Sequence, residues 1–180
     1  MGLIQVNPEP GPGFDEPLEV FAACHERIEA QLQTLERLAA HLEINGCDDA
    51  ARSAARAVMR YFDIAGPKHQ ADEEHDLFPV LCATATADGR ADVPEIVAGL
   101  LNDHARMDVM YRPLRERLAA IETGETAQLD VGRVGEFVRL YRTHIECESE
   151  QLMPYAARAL TAREVAAIGA RMAQRRGVTI

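Results

Sequence analysis

The sequence predicts an all-α fold, an antiparallel up-down-up-down four-helix bundle with a short C-terminal fifth helix. Three observations point there. Ala, Leu, Glu and Arg dominate over β-branched residues and Trp is absent, a composition that favours helix. Four long stretches carry apolar residues at spacings of three and four, the period of one buried helix face. The pattern HxxxExxxL[FM]P occurs twice, as His69, Glu73 and Leu77-Phe78-Pro79, then His144, Glu148 and Leu152-Met153-Pro154, offset by 75 residues. The chain therefore reads as two related halves.

Residues 1–14 are expected to form an extended N-terminal arm, because Asn7-Pro8-Glu9-Pro10-Gly11-Pro12-Gly13 suits neither helix nor sheet. Residues 15–160 should form the bundle. Its first helix is expected to open near Asp15 as N-cap, with Pro17 in the first turn, and to bury Leu18, Phe21, His25, Ile28, Leu32, Leu35, Leu38 and Leu42. Asn45-Gly46 ends it. The second helix starts near Asp48 and turns Val58, Phe62, Ala65, His69, Glu73, Leu77 and Val80 inward. Pro67 lies inside it and removes a backbone donor, so a kink or restart is expected just before His69.

Thr84 to Gly89 reads as the middle linker, and Asp92-Val93-Pro94-Glu95 as a capping box opening the third helix. That helix buries Val97, Leu101, His104, Met107, Tyr111, Leu114, Leu118 and Ile121 before Gly124 closes it. The fourth begins near Asp130, with Val134, Phe137, Tyr141, His144, Glu148, Leu152 and Tyr155 on one face. Residues 161–180 form the C-terminal helix and tail, with Thr161 and Glu164 as a second capping box and an end at Arg175-Arg176-Gly177.

Antiparallel helices place two residues at one height when the turn lies midway between them. The midpoint of His25 and His69 falls at position 47 beside Gly46, and that of His104 and His144 at Gly124. His69 and His104 have their midpoint inside the middle linker. All four histidines thus come to one level, and His69 and His144 each have a glutamate one turn on along the same face. Unpaired imidazoles and carboxylates in a core would each cost roughly 1 to 5 kcal/mol. A metal removes that conflict. The candidate ligands are His25, His69, Glu73, His104, His144 and Glu148.

Imidazole and carboxylate without thiolate suit iron or manganese, and also zinc. His41 and His75 fall outside the pattern, and Asp72-Glu73-Glu74-His75-Asp76 reads as a charged face of which only Glu73 turns inward. Replacing Glu74 is accordingly expected to leave the metal in place. Glu29 and Asp108, each four residues beyond a histidine, are either outer partners of the ligands or salt-bridge formers.

The formal charge of −10 repels nucleic acid and anionic membrane. No apolar run approaches the roughly 20 residues that span a bilayer, and no signal-peptide pattern is present. Cys24, Cys47, Cys82 and Cys147 lack CxxC spacing, so reduced thiols and a cytoplasmic location are expected.

The ordered set His25, His69xxxGlu73 with Leu77-Phe78-Pro79, His104, and His144xxxGlu148 with Leu152-Met153-Pro154 resembles the hemerythrin-like HHE cation-binding domain family, over roughly Pro17 to Tyr155. The resemblance implies a non-haem di-iron centre, with His25 and His69 on one iron and His104 and His144 on the other. Glu73 and Glu148 would bridge, with an oxo or hydroxo group completing the bridge. Oxygen carriers of that family have a fifth histidine where this chain has Asp108, and an aspartate where it has Glu148. The set of four His and two Glu is similar to the subset associated with sensing and stress responses. The function that the resemblance implies is binding of O2, NO or peroxide for sensing, storage or detoxification, with no catalytic residue singled out. The alternative is a di-iron enzyme or iron donor in oxidative or nitrosative repair. A homo-oligomer or a protein partner is compatible with either.

Overall fold

The computed structural model describes residues 11–179. Most of the expected N-terminal arm lies outside them. Eight α-helical segments form four antiparallel rods and one appended helix: α1 (Pro17–Asn45), α2 (Asp49–Arg60), α3 (Gly66–Asp72), α4 (Phe78–Ala87), α5 (Asp92–Thr123), α6 (Val131–Cys147), α7 (Met153–Ala159) and α8 (Ala162–Arg175). The first rod is α1, the second is α2 to α4, the third is α5 and the fourth is α6 with α7. No strand occurs among the described residues.

Caps set where the rods begin, and two differ from expectation. Asp48, Asp130 and Thr161 stand where helix starts were expected and cap them, each side chain accepting a backbone N–H of its first turn. Asp15 does not cap α1. Pro17 has no N–H and a helical φ, so it takes the first helical position and Glu16 falls at the cap without a side-chain bond. Asp92 does not cap α5 either. Arg90 holds its carboxylate through two hydrogen bonds of 2.9 and 2.7 Å, and the helix opens behind Ala91. The middle linker is also shorter than expected, because α4 continues to Ala87 and only the turn at Gly89, with φ +70°, adopts a left-handed backbone.

Three wide π turns interrupt the second and fourth rods, at Tyr61–Ala65, Glu73–Leu77 and Glu148–Leu152. Each closes on the residue before a proline. Gly66 donates its N–H to the Tyr61 carbonyl, Phe78 to Glu73 and Met153 to Glu148, and Pro67, Pro79 and Pro154 follow. Proline lacks the N–H for an ordinary turn and its ring crowds the carbonyl four residues back, so one extra residue relieves both problems without ending the rod. The kink expected at Pro67 is such a turn. Two of the three turns start on the glutamates of the repeat.

Apolar packing divides into two clusters. One includes Ile28, Leu32, Val58, Phe62, Met107, Leu118, Phe137 and Tyr141, at the end where Gly46 and Gly124 turn the chain. The other includes Phe21, Leu77, Phe78, Leu81, Val97, Leu100, Leu152 and Ile168. Between them, in every rod, lies one histidine. The polar layer is therefore sealed above and below by hydrocarbon.

Helix α8 crosses α1, α3 and the Glu73 turn. Gly169 admits the approach of the chain entering α1, since a β-carbon there would stand 1.9 Å from the Phe14 carbonyl oxygen. This contact also explains a correction. Asp72 and Asp76, read as part of a charged solvent face, are 0% and 2% exposed. Arg175 reaches both acids, Arg176 pairs with Asp72, and Arg171 pairs with Asp76 at 2.6 Å.

Candidate metal centre

Each histidine of the polar layer is fixed by its rod, and all are at most 6% exposed; Glu73 and Glu148 are 0% exposed. The four Nε2 atoms point at the two carboxylates. Glu73 Oε1 lies 2.9 Å from His69 Nε2 while its Oε2 lies 3.3 Å from His104 Nε2. Glu148 does the same from the opposite side, with Oε2 3.1 Å from His25 Nε2 and Oε1 3.5 Å from His144 Nε2. Each carboxylate thus spans two rods with one oxygen apiece.

The donors separate into two groups, each with ligand atoms mutually within 4.8 Å. His25, His69, Glu73 and Glu148 form one, and Glu73, His104 and His144 the other. The His25 ring lies beside that of His69 with centroids 5.2 Å apart, and the His104 ring beside that of His144 at 4.7 Å. All six sequence candidates come together.

The donor set fits a cation on the evidence of its own unmet valences. Both oxygens of Glu73, both of Glu148 and the Nε2 of His25 are buried without a properly aligned hydrogen-bond partner. Leaving such a group unsatisfied costs about 1 to 3 kcal/mol, and more when it is charged. Positive charge between the histidine pairs would answer all of them at once.

Without metal, the protein substitutes protons. Burial disfavours charge on His69, but the Glu73 carboxylate beside it outweighs that effect and raises the imidazole well above its ordinary value. Burial likewise opposes charge on His104, and the Glu73 and Glu74 carboxylates beside its two nitrogens prevail and raise it. Burial alone would raise Glu73, but the charges of His69 and His104 at its two oxygens overcome it and lower the carboxyl.

The pH consequences follow from these directions. The raised histidines stabilise the metal-free fold below their unfolded value of about 6.5, and that contribution is lost as pH rises through the folded value. The lowered Glu73 contributes above about pH 4.3 and loses its effect as pH falls through its folded value. Cation binding needs neutral imidazoles, so loading should weaken on acidification and begin to do so above about pH 6.5. The melting-temperature gap between metal-loaded and chelated protein is expected to widen from pH 6 to pH 8. Calorimetry at fixed metal concentration measures it; a gap that narrows with pH contradicts the proton–cation competition.

Several sequence expectations are redirected. Glu29 lies away from the centre and binds Arg142 of α6 at 2.8 Å, a bond that lowers its carboxyl below the usual range. Asp108 is exposed on α5, His75 is exposed, and His41 pairs with Asp48 at 2.9 Å. Tyr111 turns its hydroxyl outward to Asp63 at 2.9 Å, whereas Phe62 and Met107 stay in the buried cluster next to the site.

Three outer partners went unread. Glu74 Oε1 lies 2.7 Å from His104 Nδ1, so this residue is not simply part of a charged solvent face. Ser149 Oγ lies 3.3 Å from His25 Nδ1, and Asp103 Oδ2 3.9 Å from His144 Nδ1. Each sits next in sequence to a site residue, which is the signal that could have found them. Phe78 stacks on His104 with ring centroids 6.1 Å apart, and Phe21 lies 5.9 Å from the His69 ring.

Residues 16–156 match the profile of the hemerythrin HHE cation binding domain. The chain belongs to the hemerythrin HHE family. A cation-binding role is thereby supported at family level, and the histidine–glutamate groups sit where such a domain needs donors. An uncharacterized protein of Haemophilus influenzae is 27% identical to this HHE protein over 165 residues, which cover 92% of each chain. Helix α8 and its arginines lie beyond the matched residues. No helix among the described residues is long and apolar enough to cross a membrane.

Proposed function

We propose that this HHE protein holds a pair of non-haem iron ions between His25 and His69 on one side and His104 and His144 on the other. Glu73 and Glu148 would help to hold both ions. The observation that carries the reading is the divided aim of each carboxylate, one oxygen toward each histidine pair. A carboxylate serving a single ion has no need to span two rods, and a hydrogen-bonded polar core would not leave these oxygens orphaned.

A redox-active metal pair supplies electron storage and an open position for a small ligand such as O2, NO or peroxide. The chain's own residues do the rest. Glu73 and Glu148 place negative charge between the cations, the four imidazoles contribute neutral donors, and the outer partners hold the rings in orientation. The apolar clusters on either side exclude bulk water, which strengthens every charge interaction in the layer. Zinc or manganese also suits this ligand chemistry, so the metal available sets occupancy. Sensing, storage or detoxification of the small ligand is the function this arrangement serves.

Metal analysis and ultraviolet-visible spectra of protein loaded anaerobically with ferrous ion test the reading. About two irons per chain are expected, with near-ultraviolet bands that appear on exposure to air and bleach on reduction. An iron content near zero after reconstitution would refute it. Steady turnover of peroxide or NO by the iron-loaded protein would replace the binding role with an enzymatic one.

A further inference from the structure

The two halves of the repeat supply the same inner residue types, although four donors gather around His25 and His69 and three around His104 and His144, and they are unequal in what stands behind them. Each bridging glutamate is followed by a residue that reaches an imidazole Nδ1 on another rod. In the first copy this is Glu74, 2.7 Å from His104; in the second it is Ser149, 3.3 Å from His25. Each upstream histidine is also preceded by a residue that faces the neighbouring ring. Asp103 stands 3.9 Å from His144 Nδ1, whereas Cys24 adjoins His69.

Both differences fall on the same side. The His104–His144 pair has two carboxylates behind it, although Arg106 shares Asp103 at 2.8 Å. The His25–His69 pair has a hydroxyl, a thiol and the Phe21 ring. A ring that offers Nε2 to a cation keeps its proton on Nδ1. A carboxylate accepting that proton's hydrogen bond fixes the tautomer and raises the electron density at Nε2. A serine oxygen at longer range does this more weakly, and an Nδ1 without a hydrogen-bond partner, as on His69 and on His144, does not do it at all, so the hydrogen-bonded carboxylate that separates the two sides is Glu74 on His104.

We propose that the two metal positions are inequivalent and that Glu74 is the positioning residue that makes the His104–His144 position the tighter one, first to fill and last to be stripped. The inference rests on the metal-pair reading and adds an order of binding to it. Asp103 supplies additional negative charge on the same side. Ser149 is the repeat-equivalent of Glu74, so the hydrogen-bonded part of the asymmetry falls on one pair of positions.

The test is an anaerobic titration of chelator-treated protein with cobalt(II) alone, followed by calorimetry and by the visible bands of the bound ion. The wild-type chain should bind in two steps of different affinity, the first broadening the NMR signals of His104 and His144. Glu74→Gln, which keeps the shape and removes the charge, should weaken the first step by about 10- to 100-fold and leave the second nearly unchanged. Glu74→Asp should restore part of the loss, and Ser149→Ala should affect only the second step. A fold-stability role alone would move neither the step order nor the identity of the broadened histidines. Two cobalt steps that Glu74→Gln leaves unaltered, or a first ion seated on His25 and His69, would overturn the inference while the metal pair stands. Absence of cobalt binding by the wild-type chain would overturn both.

Discussion

Glu73→Ala is expected to abolish binding of the metal pair. Its two oxygens are directed at His69 and His104, which stand on different rods and belong to different donor groups. Removing them takes a donor from each group at once, and on the proposed two-ion reading would leave only Glu148 to serve both ions. A loss of at least 100-fold in affinity corresponds to about 2.7 kcal/mol, and like-charge repulsion between the cations adds to it. Glu148→Ala should behave alike, since it spans His25 and His144. Metal content after gel filtration and a titration with ferrous ion measure the effect. A Glu73→Ala protein that retains a pair of irons with unchanged spectra would remove the bridging assignment. The contrast with Glu74→Gln is informative: the bridge should be lost in one variant and merely loosened on one side in the other.

The second large effect concerns α8. Asp72 is fully buried and its cationic partners are Arg175 and Arg176. Replacing both arginines with methionine strands a carboxylate in the interior, which costs about 3 to 5 kcal/mol when a buried pair is broken from one side. Asp76 keeps Arg171 in this variant, so part of the clamp remains. Urea denaturation of the metal-free protein should show the loss. Adding Asp72→Asn should recover much of it, because the penalty belongs to the unpaired charge and not to lost packing. If the double-methionine protein is as stable as wild type, α8 does not hold these acids in solution. Both acids flank Glu73 on the second rod, one just before the π turn and one within it. Undocking α8 should therefore also lower metal affinity, a coupling that parallel metal titrations would reveal.

Much of the site was legible because its logic is local. His69 with Glu73 and His144 with Glu148 repeat at one helical turn, and Gly46 and Gly124 sit midway between the paired histidines. Those spacings follow from 3.6 residues per turn and 1.5 Å per residue alone. The caps at Asp48, Asp130 and Thr161 depend only on side chains reaching the first turn of their own helices. Where a neighbour competed, the local reading failed. Asp92 was claimed by Arg90, and Pro17 pushed the α1 boundary past Asp15.

The sequence by itself thus determined the four-rod bundle, the level of the histidines and the six inward donors. Only the tertiary structure decided which acids are buried and what stands behind each ring. Asp72, at the end of α3, and Asp76, inside the Glu73–Leu77 turn, lie beside the positions that carry His69 and Glu73, and periodicity alone assigns that flank to solvent. Helix α8 then covers the exposed side with three arginines from about a hundred residues away in the chain. Glu74, Asp103 and Ser149 meet their histidines across rods. Helical periodicity assigns a residue to a face, while the partner it meets there depends on the rotation and packing of a different helix.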